Sequence, residues 1–217
     1  SFTPDTNTLL GEVPEFKNLF ACCGLNSIGI GSGGGVGKVT AEWIMNGHIN
    51  EDLFIYDIKR FQNFHSDVKF IKERITETLG DLYGMHWPFK QHKTSRNIKL
   101  VPYHEDLKKA GACFGVAGGY ERPMWYSNNG NAEYKYSYNF QNWYPSAEIE
   151  TKNTVQNVGL YELTPFSKFE LKGEKIYEEL QKICTANIKN EIGKCTYTQM
   201  LNPDGGIETD LTVVCIS

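Results

Sequence analysis

Glycine crowds the stretch from Gly24 to Gly37, which follows the apolar run Leu19–Cys22 and precedes Val39-Thr-Ala-Glu-Trp-Ile-Met45. A strand, then backbone bare of side chains, then a helix is an arrangement that brings main-chain N–H groups against a flat or anionic ligand. Two familiar glycine loops are near this pattern. A phosphate-gripping P-loop needs glycine five positions before Gly37 and Ser or Thr after Lys38, where Ser32 and Val39 stand. Gly29-Ile-Gly31-Ser-Gly-Gly34 satisfies G-x-G-x-x-G, and Asp52 and Asp57 follow near the interval of a ribose-binding carboxylate. The sequence beyond it is aromatic and loop-rich, without the repeated strand–helix units that a dinucleotide fold requires. The remaining alternative is a glycine-rich turn that packs a helix on a sheet.

Other reactive side chains are dispersed. The five histidines (His48, His65, His86, His92, His104) fall at polar or irregular positions with no acid or cysteine at ligand spacing, so surface or loop placement and no metal site are expected. The six cysteines form no C-x-x-C pair and sit mostly in apolar runs, which predicts reduced core thiols in a cytosol-like compartment. A formal charge of −4 without a basic stripe argues against nucleic acid as a partner, despite 13% aromatic residues. The 40% hydrophobic and 22% charged residues are ordinary for a globular chain, and no apolar stretch is long enough for membrane insertion. The chain starts at Ser1 and closes on Leu211-Thr-Val-Val-Cys-Ile216, which reads as a strand without a tail, so a piece of a longer protein is expected.

The elements that must position these residues follow from periodicity. Residues to about Asn46 form the glycine-rich unit, whose helix presents Val36, Val39 and Trp43, with Ala41, Ile44 and Met45 adjoining, and stops at Gly47. A helix from Ser66-Asp67 carries Val68, Ile71, Ile75, Leu79 and Leu82 on one apolar face, expected to be core, with Glu73 and Glu77 outward. Residues 83–103 read as a surface connector. A short helix ending at Gly111 then leads into a strand, the entry to a second domain. Helices over Ser146–Val158 and Glu174–Ile183 and strands over Phe166–Leu171, Cys195–Leu201 and Ile207–Ile216 are predicted, with Asn202-Pro-Asp-Gly-Gly206 as a hairpin turn.

Ordered blocks across the whole chain carry a resemblance. Ser1-Phe-Thr-Pro-Asp5, Leu10-Gly-Glu-Val-Pro14, Asn26-Ser-Ile-Gly29 with its glycine run, Gly111-Ala-Cys-Phe-Gly115, Tyr120-Glu-Arg-Pro123, Tyr197-Thr-Gln-Met-Leu-Asn202 and Gly205-Gly-Ile-Glu-Thr-Asp-Leu-Thr-Val213 are similar to the dimethylglycine and sarcosine dehydrogenase family. The resemblance implies an α+β chain in three parts. Residues 1–49 would be the C-terminal tail of a glutathione-reductase-like FAD domain, 50–103 a central connector, and 104–217 the first part of an aminomethyltransferase-like folate-binding domain. It implies FAD and tetrahydrofolate as cofactors, a small N-methyl amino acid as substrate, and electron-transfer flavoprotein or oxygen as acceptor. The location would be cytoplasmic, or the mitochondrial matrix in a eukaryote. The reaction would be oxidative demethylation, with hydride leaving the N-methyl carbon and the one-carbon unit passing to folate. The same architecture also occurs as a non-catalytic regulatory subunit of a pyruvate dehydrogenase phosphatase, which is the alternative.

Residue by residue, the resemblance sets a loop at Ser27, Ile28, Gly29, Ile30 and Gly31 against the flavin ring, with a helix beginning near Gly35 aimed at the pyrimidine side. Where related sarcosine oxidases carry a lysine that pairs the substrate carboxylate, this chain has Gly31, which leaves the amino-acid specificity open. At the pterin site it sets Tyr197 and Asp210, with Asp210 as the catalytic carboxylate that orients a folate amine. Strand, turn and returning strand would bring the two to one end of a hairpin. One departure stands nearby: an Asn-Asp pair common in the family reads Ala186-Asn187 here.

Overall fold

The computed structural model describes residues 1–49 and 51–216. Asn50 and Ser217, which the expected segments 50–103 and 104–217 include, lie outside the described residues. The chain is a mixture of helices and two-stranded antiparallel sheets, arranged as two compact units, Ser1–Phe166 and Ser167–Ser217.

In the first unit, β1 (Leu9–Glu12) pairs antiparallel with β2 (Phe20–Cys23), Leu10 opposite Cys22. Helix α1 (Gly29–Asn46) packs on this ribbon through Trp43, whose ring stands edge-on to Phe20 at 6.2 Å. Gly11 makes that approach possible: a Cβ there would lie 2.5 Å from the Trp43 ring, and its φ of 110° is hostile to other residues. Gly47, left-handed at φ 77°, returns its N–H to the Trp43 carbonyl and stops the helix where the sequence predicts. Val36 and Val39 are half-buried on the Trp43 stripe, while Ile44 and Met45 face out. Arg60 grips Asp5 with two parallel bonds (Nε–Oδ2 2.7 Å, Nη2–Oδ1 3.1 Å), which ties the N-terminal segment to the 3-10 turn at Ile58–Arg60.

Helix α2 (Val68–Asp81) starts where Asp67 accepts the Phe70 N–H at 2.8 Å. Its buried stripe differs from the predicted one. Phe70, Arg74 and Thr78 are inside, whereas Val68 is 78% exposed and Leu79 also faces out. Polar anchoring rotates the helix: Arg74 donates to the carbonyls of Thr94 and Ser95, and Glu77 accepts from the Lys93 and Thr94 N–H groups. The segment 83–103 is irregular as expected, although Val101 is buried.

Helix α3 (His104–Lys109) leads through Gly111 into β3 (Ala112–Ala117), which pairs with β4 (Tyr120–Tyr126). A bulge between Cys113 and Phe114 accommodates Pro123, which has no N–H to give to the ladder. Glu121, inside β4, is buried and forms an ion pair with Arg96. Helix α4 spans Tyr144–Gln156 with Pro145 in its first turn.

The second unit holds α5 (Ile176–Ile183) and the hairpin of β5 (Cys195–Leu201) and β6 (Ile207–Val214). The turn has the predicted chemistry: Gly205 sits at φ 83°, and Asn202 Oδ1 accepts from the Asp204 and Gly206 N–H groups. The predicted strand Phe166–Leu171 is not formed among the described residues: the chain bends at Phe166 and runs on without regular structure, and Phe169 is exposed. No helix is long and apolar enough to cross a membrane among the described residues.

Candidate functional sites

Each unit carries one of the sites that the sequence singles out. In the first, the glycine run is not a loop that precedes a helix; it is the helix. Asn26 and Ser27 take left-handed backbone (φ 46° and 70°), Ile28 is the N-cap residue, and α1 begins at Gly29 rather than near Gly35. A buried amide fixes this start. Asn26 is 1% exposed, its Oδ1 accepts the Thr3 N–H at 2.9 Å, and its Nδ2 donates to the Gly24 carbonyl at 2.6 Å. No side chain caps the helix and no acid stands in its first turn. The N–H groups of Gly29, Ile30 and Gly31 precede the first α-helical bond, Ser32 N–H to the Ile28 carbonyl at 3.0 Å, so they form an electropositive edge. A Cβ on Gly31, Gly33, Gly34, Gly35 or Gly37 would meet open space. Packing within the described residues therefore does not account for these glycines.

In the second unit, β5 and β6 present one covered face, with Thr198 buried, and one open face with Tyr197, Gln199, Asp210 and Thr212. Tyr197 pairs with Thr212 and Gln199 with Asp210, so Tyr197 and Asp210 are diagonal neighbours. The Tyr197 hydroxyl donates to Asp210 Oδ2 at 3.0 Å. The two residues do meet, on the middle of the hairpin face rather than at the turn, because their ladder positions lie several residues from Asn202–Gly206. Gln199 is held by Thr185 (Oγ1 to Oε1, 3.1 Å), and Thr198 Oγ1 accepts the Ala186 N–H at 3.0 Å. The Ala186-Asn187 departure thus packs along the same hairpin, with Asn187 Oδ1 accepting the Lys189 N–H.

Sequence spacing misses the histidine environments. His104 is buried and stacked on Phe114 at 4.2 Å, and His65 and His92 are half-buried. Burial lowers the pKa of His65 and of His92, with Arg74 adding to the effect in both. His92, Glu77 and Asp81 also converge, each offering a ligand atom within 4.8 Å of the others, although all three lie apart in sequence from any metal motif. Both acids are engaged: Asp81 pairs with Lys90 at 2.6 Å, and Glu77 holds Lys93 and Thr94. In the sequence, the helical i, i+4 spacing of Glu77 and Asp81 is what places two of the three on one face.

Comparison with known families matches residues 46–100 to the FAD dependent oxidoreductase central domain and residues 103–217 to the GCVT N-terminal domain. Over 214 residues the chain is 42% identical to 4-methylaminobutanoate oxidase (formaldehyde-forming) of Paenarthrobacter nicotinovorans, covering 98% of this chain and 26% of that protein. It is 32% identical to mouse mitochondrial sarcosine dehydrogenase, with the same two coverages. It is 30% identical to the mouse mitochondrial pyruvate dehydrogenase phosphatase regulatory subunit, covering 98% of this chain and 25% of that protein. The chain spans about a quarter of the length of the curated relatives it matches.

Proposed function

Since this chain belongs to the family that joins an FAD dependent oxidoreductase central domain to a GCVT N-terminal domain, we propose that it is the middle of an enzyme that oxidatively demethylates an N-methylamino carboxylate. The observation that carries this reading is the similarity to a quarter of 4-methylaminobutanoate oxidase along 98% of this chain, supported by sarcosine dehydrogenase. Bound FAD would supply the acceptor for hydride from the N-methyl carbon, and tetrahydrofolate the acceptor for the one-carbon unit.

The residues present fit both groups. The uncapped start of α1 offers the N–H groups of Gly29, Ile30 and Gly31 to a flat, anionic edge, and the bare glycine surface lets a ring system approach. Ser27 and Ile28 would line the approach. On the other unit, Tyr197 and Asp210 would hold the folate: Asp210 accepts a hydrogen bond from a pterin or amine N–H, and the Tyr197 hydroxyl fixes which oxygen is free. An exposed carboxylate already oriented by a phenol needs little reordering on binding, which is the preorganisation that a transfer step rewards.

The test uses the full-length protein. Its flavin absorbance should bleach anaerobically with 4-methylaminobutanoate, sarcosine or dimethylglycine; if none of these bleaches it, the regulatory reading favoured by the phosphatase-subunit similarity takes its place. Asp210→Asn should then leave flavin reduction intact while folate binding weakens about 10- to 100-fold, the worth of a charge-assisted hydrogen bond. Unchanged folate binding would leave Asp210 an ordinary strand carboxylate.

A further inference from the structure

A cleft in the first unit, apart from the glycine helix, is lined by Pro4, Arg60, Phe61, Phe70 and Arg74 together with Asp5, His65 and His92. Its charges do not balance. Asp5 is spent on Arg60, which holds both of its oxygens. Arg74 is 7% exposed, yet among the described residues it has no carboxylate within salt-bridge distance. Its Nη2 donates to the Thr94 and Ser95 carbonyls (2.7 and 3.3 Å), and its buried Nε has no acceptor. Glu77, one turn along α2, stands close enough to be felt electrostatically, but its oxygens are taken by the Lys93 and Thr94 N–H groups and the Thr94 hydroxyl. His65 and His92 are pushed toward the neutral form by burial, so they do not add charge at neutral pH. Glu121 also acts on Arg74 only through space, since its oxygens are held by Arg96 and the Asn97 N–H. The buried guanidinium is left with no carboxylate in contact and an unmatched Nε, and such a group is costly unless an acceptor joins it.

We propose that this cleft is a binding site for a small monocarboxylate, whose oxygens accept from the Arg74 guanidinium and whose short alkyl chain lies against Phe61, Phe70 and Pro4. The planar guanidinium matches a carboxylate better than a point cation would, and the two phenyl rings exclude a heavily hydrated, multiply charged anion. Arg60 stays with Asp5 and forms one wall; its guanidinium already covers the Phe61 ring at 4.3 Å. The site is independent of the flavin and folate assignments above, and no part of them is needed for it.

Calorimetric titration of the full-length protein with sodium butyrate, and separately with inorganic phosphate, tests the proposal. Butyrate should bind, and Arg74→Gln should weaken that binding roughly tenfold or more while Arg74→Lys weakens it less. An Arg74→Gln isotherm that superimposes on the parent's would overturn the assignment, as would phosphate binding where butyrate does not. Should Arg74→Gln fail to fold, crystals of the parent grown with butyrate decide the matter. Density for the carboxylate within hydrogen-bond distance of Arg74 is expected, and a cleft holding only water at saturating butyrate refutes the site.

Discussion

Replacing Glu121 by glutamine removes one charge and almost no volume from the β3–β4 hairpin, and its cost can be worked from the contacts. Three donors converge on the carboxylate: Arg96 Nε at 2.7 Å, Arg96 Nη2 at 2.5 Å and the Asn97 N–H at 2.8 Å. Arg96 also donates to the His92 and Phe114 carbonyls, so it cannot swing away to water without losing those bonds. Removing one partner of a buried pair typically costs about 3–5 kcal/mol. The Glu121 side chain is 3% exposed but that of Arg96 is 23% exposed, so solvent softens the loss toward the lower end, about 3 kcal/mol. The pH dependence follows. Burial pushes the Glu121 carboxyl up, but the hydrogen bonds from Arg96 and Asn97 and the Arg96 charge outweigh it and hold it below the usual carboxylate range. A group lowered on folding contributes fully above its unfolded pKa and loses that contribution as the pH falls through its folded one. The parent–variant gap should therefore be widest near neutrality and close below about pH 4. The assay is urea unfolding followed by tryptophan fluorescence, since Trp43, Trp87, Trp125 and Trp143 all lie in Ser1–Phe166 and report that unit alone. A neutral-pH difference below about 1 kcal/mol, or a gap that widens in acid, would refute the reasoning.

Asn26→Ala should destabilise the first unit by about 2–3 kcal/mol, because it strands the buried Thr3 N–H and Gly24 carbonyl; the same fluorescence measurement checks it, and flavin content of the full-length variant should fall with it. Cys113, buried with its thiol pushed up to about 11 by desolvation, should resist iodoacetamide at pH 8 while exposed Cys22 and Cys23 react. Peptide mapping that finds Cys113 modified as fast as Cys22 contradicts that burial.

Turns and stops were the most legible features of the sequence, because they depend on local backbone chemistry. Gly47 ends α1, Gly111 separates α3 from β3, and Asn202–Gly206 closes the last hairpin, each through a glycine at positive φ. Helix faces were harder. The apolar residues of α2 predict a buried Val68–Leu79 stripe, but carbonyls and N–H groups of residues 93–95, far along the chain, capture Arg74 and Glu77 and set the rotation. Glycines 29–37 read as loop by propensity, and only the Asn26–Thr3 anchor, 23 residues apart, fixes a helix start there. Phe166–Leu171 has strand-like residues but joins no sheet among the described residues, a condition the segment itself does not encode. Of the site, the Tyr197–Asp210 meeting was legible because a hairpin register converts spacing into contact. The Arg74 cleft was not, since its walls come from four separate stretches of chain.

The composition of α1 has a kinetic consequence. Six of its first nine residues are glycine, each about 1 kcal/mol worse than alanine in a helix interior, a deficit of about 6 kcal/mol that the rest of an 18-residue helix does not recover alone. Trp43 anchors the far end, so the glycine half is where this unit opens first, by fraying from Gly29 inward. Its amide protons should then exchange with solvent well ahead of those around Trp43. Any group that docks only on the closed helix draws it shut by mass action, about 2.7 kcal/mol at a hundredfold excess over its dissociation constant. Local order at this edge thus becomes a readout of occupancy, and the exposed Lys38 within it a cleavage point whose protection from trypsin would report the docking.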